Sequence, residues 1–439
     1  MMQFFREGFS AKIFLSFLIA PLLASASVLA FPFGKSVNIS PKLDKLLKEE
    51  TTRNISNDDF EGEDLGIRRA AVEALGNRAG TVVVMNAQTG RIYTIVNQEW
   101  GIRNAFKPCS TIKLVTGIAG YNEKLIRSNG NLVNGYYRLG LDQSLAYSNN
   151  TYFQKIGKRL GSRKMIRYAG KLGLGEPTGI NSRSETAGRL PFGNENLRIY
   201  SHADDFLTSP LQLAVMVSAI TNGGDLVVPQ IPRNKFQKAN FRGYLRRELD
   251  LRPTVFERVI PGMMGAVKYG TAKRIRNANL KIAGKTGSCI SDNTWVGLFA
   301  SVAPIQSPKF SVVVITKGKF ARGKYSAAIA EKIYRKLRPL YDRPFQKKLR
   351  RKPLRVKTPK SKVSDSKNVA SIGKPKIITI KSDVAAKPKS KTKKQPRNVA
   401  RKRVRKNNKK KVKKVEQIYP AVVIGGKQEI TRPRVVGNK

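Results

Sequence analysis

Three short stretches of this 439-residue chain hold residue types that can act on a substrate. Ser110-Thr-Ile-Lys113 sets a hydroxyl and an amine three positions apart. On a helix that spacing puts both on one face, so Lys113 Nζ can reach Ser110 Oγ. Serine is a poor nucleophile until a nearby base takes its proton, and a lysine whose pKa is lowered by burial or a neighbouring cation can be that base. Ser148-Asn-Asn150 offers a hydroxyl able to relay a proton and an amide able to hold Lys113 and a substrate carbonyl. Taken alone, the same triplet reads better as an N-cap cluster before a helix over 151–160. Lys285-Thr-Gly-Ser288 offers a cation and two hydroxyls suited to an anionic group, with Gly287 letting a ligand backbone approach the strand. The backbone N–H of Ser288 can join that of Ser110, which opens a helix, around a developing oxyanion.

Composition closes off other chemistries. His202 is the single histidine, so a His-based triad depends on that one residue and a His-ligated metal site lacks a second ligand. Two cysteines exclude a disulfide-rich scaffold and a cysteine-rich zinc array. No metal and no cofactor is expected. The net charge is +55, of which residues 341–439 carry +29 from 34 basic and 5 acidic residues.

The elements that must position the motifs follow from periodicity. Arg6 and Lys12 precede an apolar run over 13–30 with small residues at Ala24-Ser-Ala26 and Val28-Leu-Ala30, the pattern of a signal peptide or membrane anchor. The chain is therefore expected to be exported and to act at the cell envelope. Residues 31–63 are polar and aperiodic and read as a linker. Residues 64–75 read as a helix capped by Asp64, and 80–96 as strand, turn, strand. Helices are predicted over 110–120, 145–160, 209–222, 253–268 and 324–338, and strands over 281–288, 294–301 and 309–317. Strand-rich segments at both ends of 80–320 imply an α+β sandwich: a central antiparallel sheet flanked by helices, with an all-helical region inserted. Beyond about 340 the Lys, Arg, Pro, Ser and Asn content predicts a disordered basic tail over 341–439, with a mixed segment from Ile418 to Val436.

Each motif alone arises by chance, but the three in this order form a specific combination. Together they make the chain resemble the penicillin-binding protein transpeptidases of the serine β-lactamase superfamily. The likeness extends to Ala79–Gly90, Gly173–Asn181, Glu185–Gly188, Thr208–Ala214, Ile220–Gly224 and Gly270-Thr-Ala272, and so covers roughly 64–338. It implies a monofunctional transpeptidase domain over 64–340, residues 31–63 being too few for a glycosyltransferase domain. By the same resemblance Ser110 is the nucleophile, Lys113 its base, and Ser148 and Asn150 the relay and substrate contact. Lys285, Thr286, Gly287 and Ser288 line the site for the terminal carboxylate of a D-Ala-D-Ala stem peptide of peptidoglycan. The acyl group passes to an amine, or to water in a carboxypeptidase, and β-lactams are expected to acylate Ser110; a β-lactamase of the same superfamily and a catalytically idle, wall-binding protein are the alternatives.

Several positions depart from the family pattern. Cys109 stands where glycine is usual and Ser288 where threonine is commoner. Ser201-His-Ala-Asp-Asp205 replaces a glycine-rich stretch, bringing His202 to the border of the cleft, where a structural role is expected. Glu176 and Glu185 are the only nearby acids to consider for deacylation, and both positions look structural. Some carbapenem-hydrolysing members carry a disulfide at the positions of Cys109 and Cys289. With Ser110 and Ser288 facing one oxyanion, these two cysteines are candidates for the same bond. The exported tail, 344–415, is expected to meet anionic envelope surfaces rather than nucleic acid.

Overall fold

The structure is a computed structural model describing residues 40–193 and 196–342, with the backbone of three short stretches at 349–350, 421–424 and 427–430. The apolar run 13–30 lies outside the described residues, as does most of the basic stretch 344–415. Contacts divide the chain into two units, Met1–Ser361 and Lys362–Lys439.

The first unit opens with helices α1 (Pro41–Ser56) and α2 (Leu65–Leu75), then strands β1 (Gly80–Asn86) and β2 (Ile92–Val96). A helical stretch follows: α3 (Lys113–Asn122), α4 (Leu141–Ala146), α5 (Asn150–Leu160), α6 (Ser162–Lys171), α7 (Ile199–His202) and α8 (Pro210–Thr221). Strand β3 (Asp225–Val228), helix α9 (Lys235–Ala239), strand β4 (Gly243–Glu248) and helix α10 (Pro253–Lys268) lead to β5 (Ala283–Ser291), β6 (Thr294–Ala303), β7 (Phe310–Lys317) and α11 (Gly323–Leu337). Beyond them lie β8 (Leu349–Arg350), β9 (Ala421–Ile424) and β10 (Lys427–Ile430).

The main sheet is antiparallel with order β2-β1-β7-β6-β5, so strands from both ends of the segment meet at its centre. Side chains alternate across a strand, and here both faces are buried. Val83 and Met85 of β1, with Leu298 and Val313, share one core with α8 and α10, and α3 and α5 pack behind these helices. Val82 and Val84, with Phe299 and Val312, face α2 and α11. This is the predicted sandwich. α8 is buried along its whole length and starts at a capping box formed by Ser209 and Gln212.

Three expectations change. The predicted linker holds α1, and residues 57–64 pack onto β2. Arg68 Nη2 meets Asp58 at 2.7 Å and Nη1 meets Glu63 at 3.0 Å; Asp58 accepts from Asn97 N and Gln98 N, and Glu63 from Ile95 N. Thr51 Oγ1 accepts from Gly80 N, and Trp100 Nε1 donates to Glu50. The polar residues that looked solvated are partners for backbone groups and for one another. Second, the predicted helix over 145–160 breaks between α4 and α5, where Ser148 has φ of +57°. Third, the tail expected to be disordered from 341 has described strands: Leu349–Arg350 adds parallel to the edge of β4. In the second unit, β9 pairs with β10. An open strand edge and a β-branched run, Ala421-Val-Val-Ile424, account for these pairings.

Candidate active site

The turn Cys109–Ile112 is 3₁₀ and passes directly into α3, so Ser110 sits just before the helix and Lys113 at its first residue. Lys113 is fully buried, and its Nζ lies 2.8 Å from Ser110 Oγ, 2.7 Å from Asn150 Oδ1, and 3.1 Å from both the carbonyl and the hydroxyl of Ser148. Ser148 reaches this point because its left-handed backbone turns the chain between α4 and α5. Asn149 takes the capping role the sequence left open: its Oδ1 accepts from Tyr152 N and from Tyr137 Oη. The flanking residues Ser148 and Asn150 are thereby left to face Lys113.

On β5, Lys285 is also fully buried, its Nζ 2.8 Å from Ser148 Oγ and 2.9 Å from the Thr286 carbonyl. Ser148 Oγ thus stands between two ammonium groups, and neither lysine has a carboxylate partner among the described residues. Burial pushes Lys113 down to about 7. Burial, then the charge of Lys113, pushes Lys285 well below the usual lysine range.

A neutral amine has two N–H donors and one lone pair. With its donors spent on Asn150 Oδ1 and the Ser148 carbonyl, Lys113 turns its lone pair toward the nearer hydroxyl, Ser110 Oγ–H. The arrangement can draw a proton from Ser110 and pass one through Ser148.

The third motif divides across its strand. Lys285, Gly287 and Cys289 face the turn that carries Ser110. Thr286 is buried and donates to Thr271 Oγ1 at 2.6 Å; Ser288 is exposed and its Oγ accepts from Gly323 N at 2.9 Å. The close approach that Gly287 permits is to this turn: an added Cβ would lie 3.2 Å from the Pro108 carbonyl and 3.3 Å from Cys109 Cβ. Cys109 and Cys289 are joined in a disulfide with Cα atoms 5.7 Å apart.

Sequence reasoning missed two contributors. Thr271, seen only as part of Gly270-Thr-Ala272, anchors Thr286 and also binds the Ala146 carbonyl just before the second motif. The Ser201 carbonyl lies 3.5 Å from Ser110 Oγ. Neither contact has a local signal, since each joins residues distant in sequence. Glu176 and Glu185 are committed elsewhere: Glu176 to Arg246 and Arg247, Glu185 to the N–H groups of Thr178 and Gly179.

The chain is 23% identical over 307 residues to the peptidoglycan D,D-transpeptidase FtsI of Buchnera aphidicola, covering 60% of this chain and 52% of the relative. It is 21% identical to the peptidoglycan D,D-transpeptidase MrdA of Acinetobacter baumannii, covering 65% and 53%. The chain therefore spans about half the length of the curated relatives it matches. Among solved structures, the transpeptidase domain of Burkholderia pseudomallei penicillin-binding protein 3 superposes with a TM-score of 0.53 at 19% identity, over 69% of this chain and 97% of that one. A peptidoglycan glycosyltransferase from Burkholderia ambifaria superposes with a TM-score of 0.54 at 18% identity, over 69% and 98%. A family model described as the penicillin binding protein transpeptidase domain matches residues 80–335. More than half of the chain answers to that description, and the chain belongs to the penicillin-binding protein transpeptidase family.

Proposed function

We propose that the chain is a serine D,D-transpeptidase that acts on D-Ala-D-Ala stem peptides of peptidoglycan through an acyl-enzyme on Ser110. The observation that carries the reading is the buried Lys113 Nζ, 2.8 Å from Ser110 Oγ and with both N–H donors engaged. Lys113 takes the Ser110 proton as Oγ attacks the penultimate D-Ala carbonyl. The N–H groups of Ser110 and Ser288 stabilise the oxyanion. Terminal D-Ala leaves with a proton relayed from Lys113 through Ser148. An amine from a neighbouring stem then displaces Ser110 and forms the cross-link. Lys285, Thr286 and Ser288 hold the terminal carboxylate, and penicillins acylate Ser110 by the same route.

The occupied carboxylates of Glu176 and Glu185 favour a long-lived acyl-enzyme over β-lactamase turnover. Labelling with a fluorescent penicillin tests the reading. A stable adduct on Ser110 supports it, and rapid turnover of a chromogenic cephalosporin would make the protein a β-lactamase. Product analysis with a defined muropeptide separates transpeptidation from carboxypeptidation. We further propose that the 13–30 segment directs export and that the basic stretch 344–415 holds the enzyme to anionic envelope polymers or headgroups.

A further inference from the structure

The segment Arg198–Asp204 borders Ser110 on the side of the Ser201 carbonyl. Ser201 is fully buried, and its Oγ accepts from Gln154 Nε2 at 3.0 Å and lies 2.7 Å from His202 Nδ1. A buried hydroxyl must place its own proton, and among the described residues His202 Nδ1 is the only acceptor it has. Ser201 therefore donates to Nδ1, which fixes the imidazole proton on Nε2. His202 is half-buried and offers that Nε2–H as a donor with no partner among the described residues.

Arg198 precedes His202 by four residues on the turn of α7, so the two side chains share a face. Asp204 accepts from Arg198 Nε at 2.7 Å and from Asn196 Nδ2 at 3.1 Å, and it is paired with Lys107 as well. One carboxylate thus sits between two cations. The Arg198 side chain is 53% exposed, and its Nη groups have no partner among the described residues. The charged groups facing His202 are Arg198, Lys113, Lys107 and Asp204, an excess of positive charge. Burial, then Arg198 and Lys113, hold the imidazole down to about 4, so it stays a neutral donor.

We propose that Arg198 and His202 form a second carboxylate subsite, on the Ser201 side of Ser110, that selects acyl donors bearing a side-chain carboxylate upstream of the scissile bond. This rests on the acyl-enzyme reading of Ser110. The terminal carboxylate belongs with Lys285, on the Ser148 side. A guanidinium fork and a neutral N–H suit a planar carboxylate, and the local excess of positive charge disfavours a cationic residue in the same place. The substrate class is a stem peptide carrying a dicarboxylic residue before D-Ala-D-Ala.

Two penicillins identical except for a carboxylate on the acyl side chain test this on the full chain. The carboxylated compound is expected to acylate Ser110 faster than the neutral one. Arg198→Gln should lower that ratio of rates about fivefold, the weight of one partly exposed ion pair. His202→Ala should also lower it, and His202→Gln, which keeps an N–H donor, should restore part of it. Because His202 is the single histidine, one imidazole resonance reports the site. Its titration midpoint should rise with the carboxylated compound bound and stay in place with the neutral one. A ratio unmoved by Arg198→Gln and His202→Ala, with Ser110 still acylated, overturns the subsite alone. If neither penicillin labels Ser110, the acyl-enzyme reading falls and takes the subsite with it.

Discussion

Two clusters of buried charge lie on opposite sides of this domain, and they are built differently. Beneath β2, Arg68 is matched by two carboxylates, Asp58 and Glu63, whose remaining lone pairs accept from Asn97, Gln98 and Ile95. In the cleft, Lys113 and Lys285 are more deeply buried and share only hydroxyls, carbonyls and one amide. The first cluster is satisfied and structural. Among the described residues the second has no opposing charge, so burial is relieved by shedding a proton or by gaining an anion. Those two escapes are what a general base and a carboxylate site require.

Removing a buried cation from each cluster should separate the two roles. Ser110→Ala is expected to abolish penicillin labelling, and Lys113→Ala to slow it by about a thousandfold or more. Lys113→Ala should nevertheless melt at the same temperature as the parent or higher, since it deletes an uncompensated buried amine. Undiminished labelling in Ser110→Ala would mean a different nucleophile. Arg68→Ala should do the reverse. It strands Asp58 and Glu63 without a counter-charge and should cost about 3–5 kcal/mol of stability. Denaturant titration checks this, and a loss below ~1 kcal/mol would show that α1 and the 57–64 segment are dispensable.

The disulfide ties the cleft cluster's two elements together. Cys109→Ser with Cys289→Ser should lower stability by roughly 2–4 kcal/mol and slow acylation less than Lys113→Ala does. Thermal melts with and without reductant measure the first effect, and labelling rates the second. Loss of labelling equal to that of Lys113→Ala would make the bond part of the chemistry rather than a brace.

The two clusters should also differ in their dependence on pH. Acylation needs neutral Lys113, so its rate should fall about tenfold per pH unit below 7 and level off above. The stability sign follows from linkage. The folded pKa of Lys113 is below its unfolded value, so between about 7 and the ordinary lysine value the unfolded chain binds more protons. That contribution makes stability rise with pH across the window, and Lys113→Ala should flatten it. Stopped-flow labelling and denaturant titrations at several pH values provide the check. Finally, a chain lacking 344–415 should pellet less with isolated envelopes at low salt. Equal pelleting of the two forms would remove the basic stretch from envelope binding.

Local spacing determined a good deal of this protein. The strand-turn-strand over 80–96, the Asp64 cap, the buried α8 and the helix at 253–268 follow from patterns only a few residues long. The three motifs follow likewise, because a hydroxyl and an amine at i and i+3 share a helix face whatever surrounds them. Other features needed the tertiary structure. The apolar stripe of α1 is thin, Leu43, Leu47 and Ile55 at four-residue steps interrupted by Thr51, and much of the bonding of 41–63 is polar, to β1, β2 and Trp100, where a polar contact partner looks like a solvated side chain in sequence. The division of Ser148, Asn149 and Asn150 into Lys113 contact, helix cap and Lys113 contact was hidden, since all three residue types suit either place and only the packing of α5 assigns them. The facing of Lys285 toward Ser148, and of Thr286 toward Thr271, depends on which side of β5 meets the Cys109–Ile112 turn and which meets α11. The proton position on His202 depends on Gln154, 48 residues away in the chain. Sequence spacing specifies which groups can share a face; burial and long-range contacts decide which of them lose water, and with it their ordinary charge.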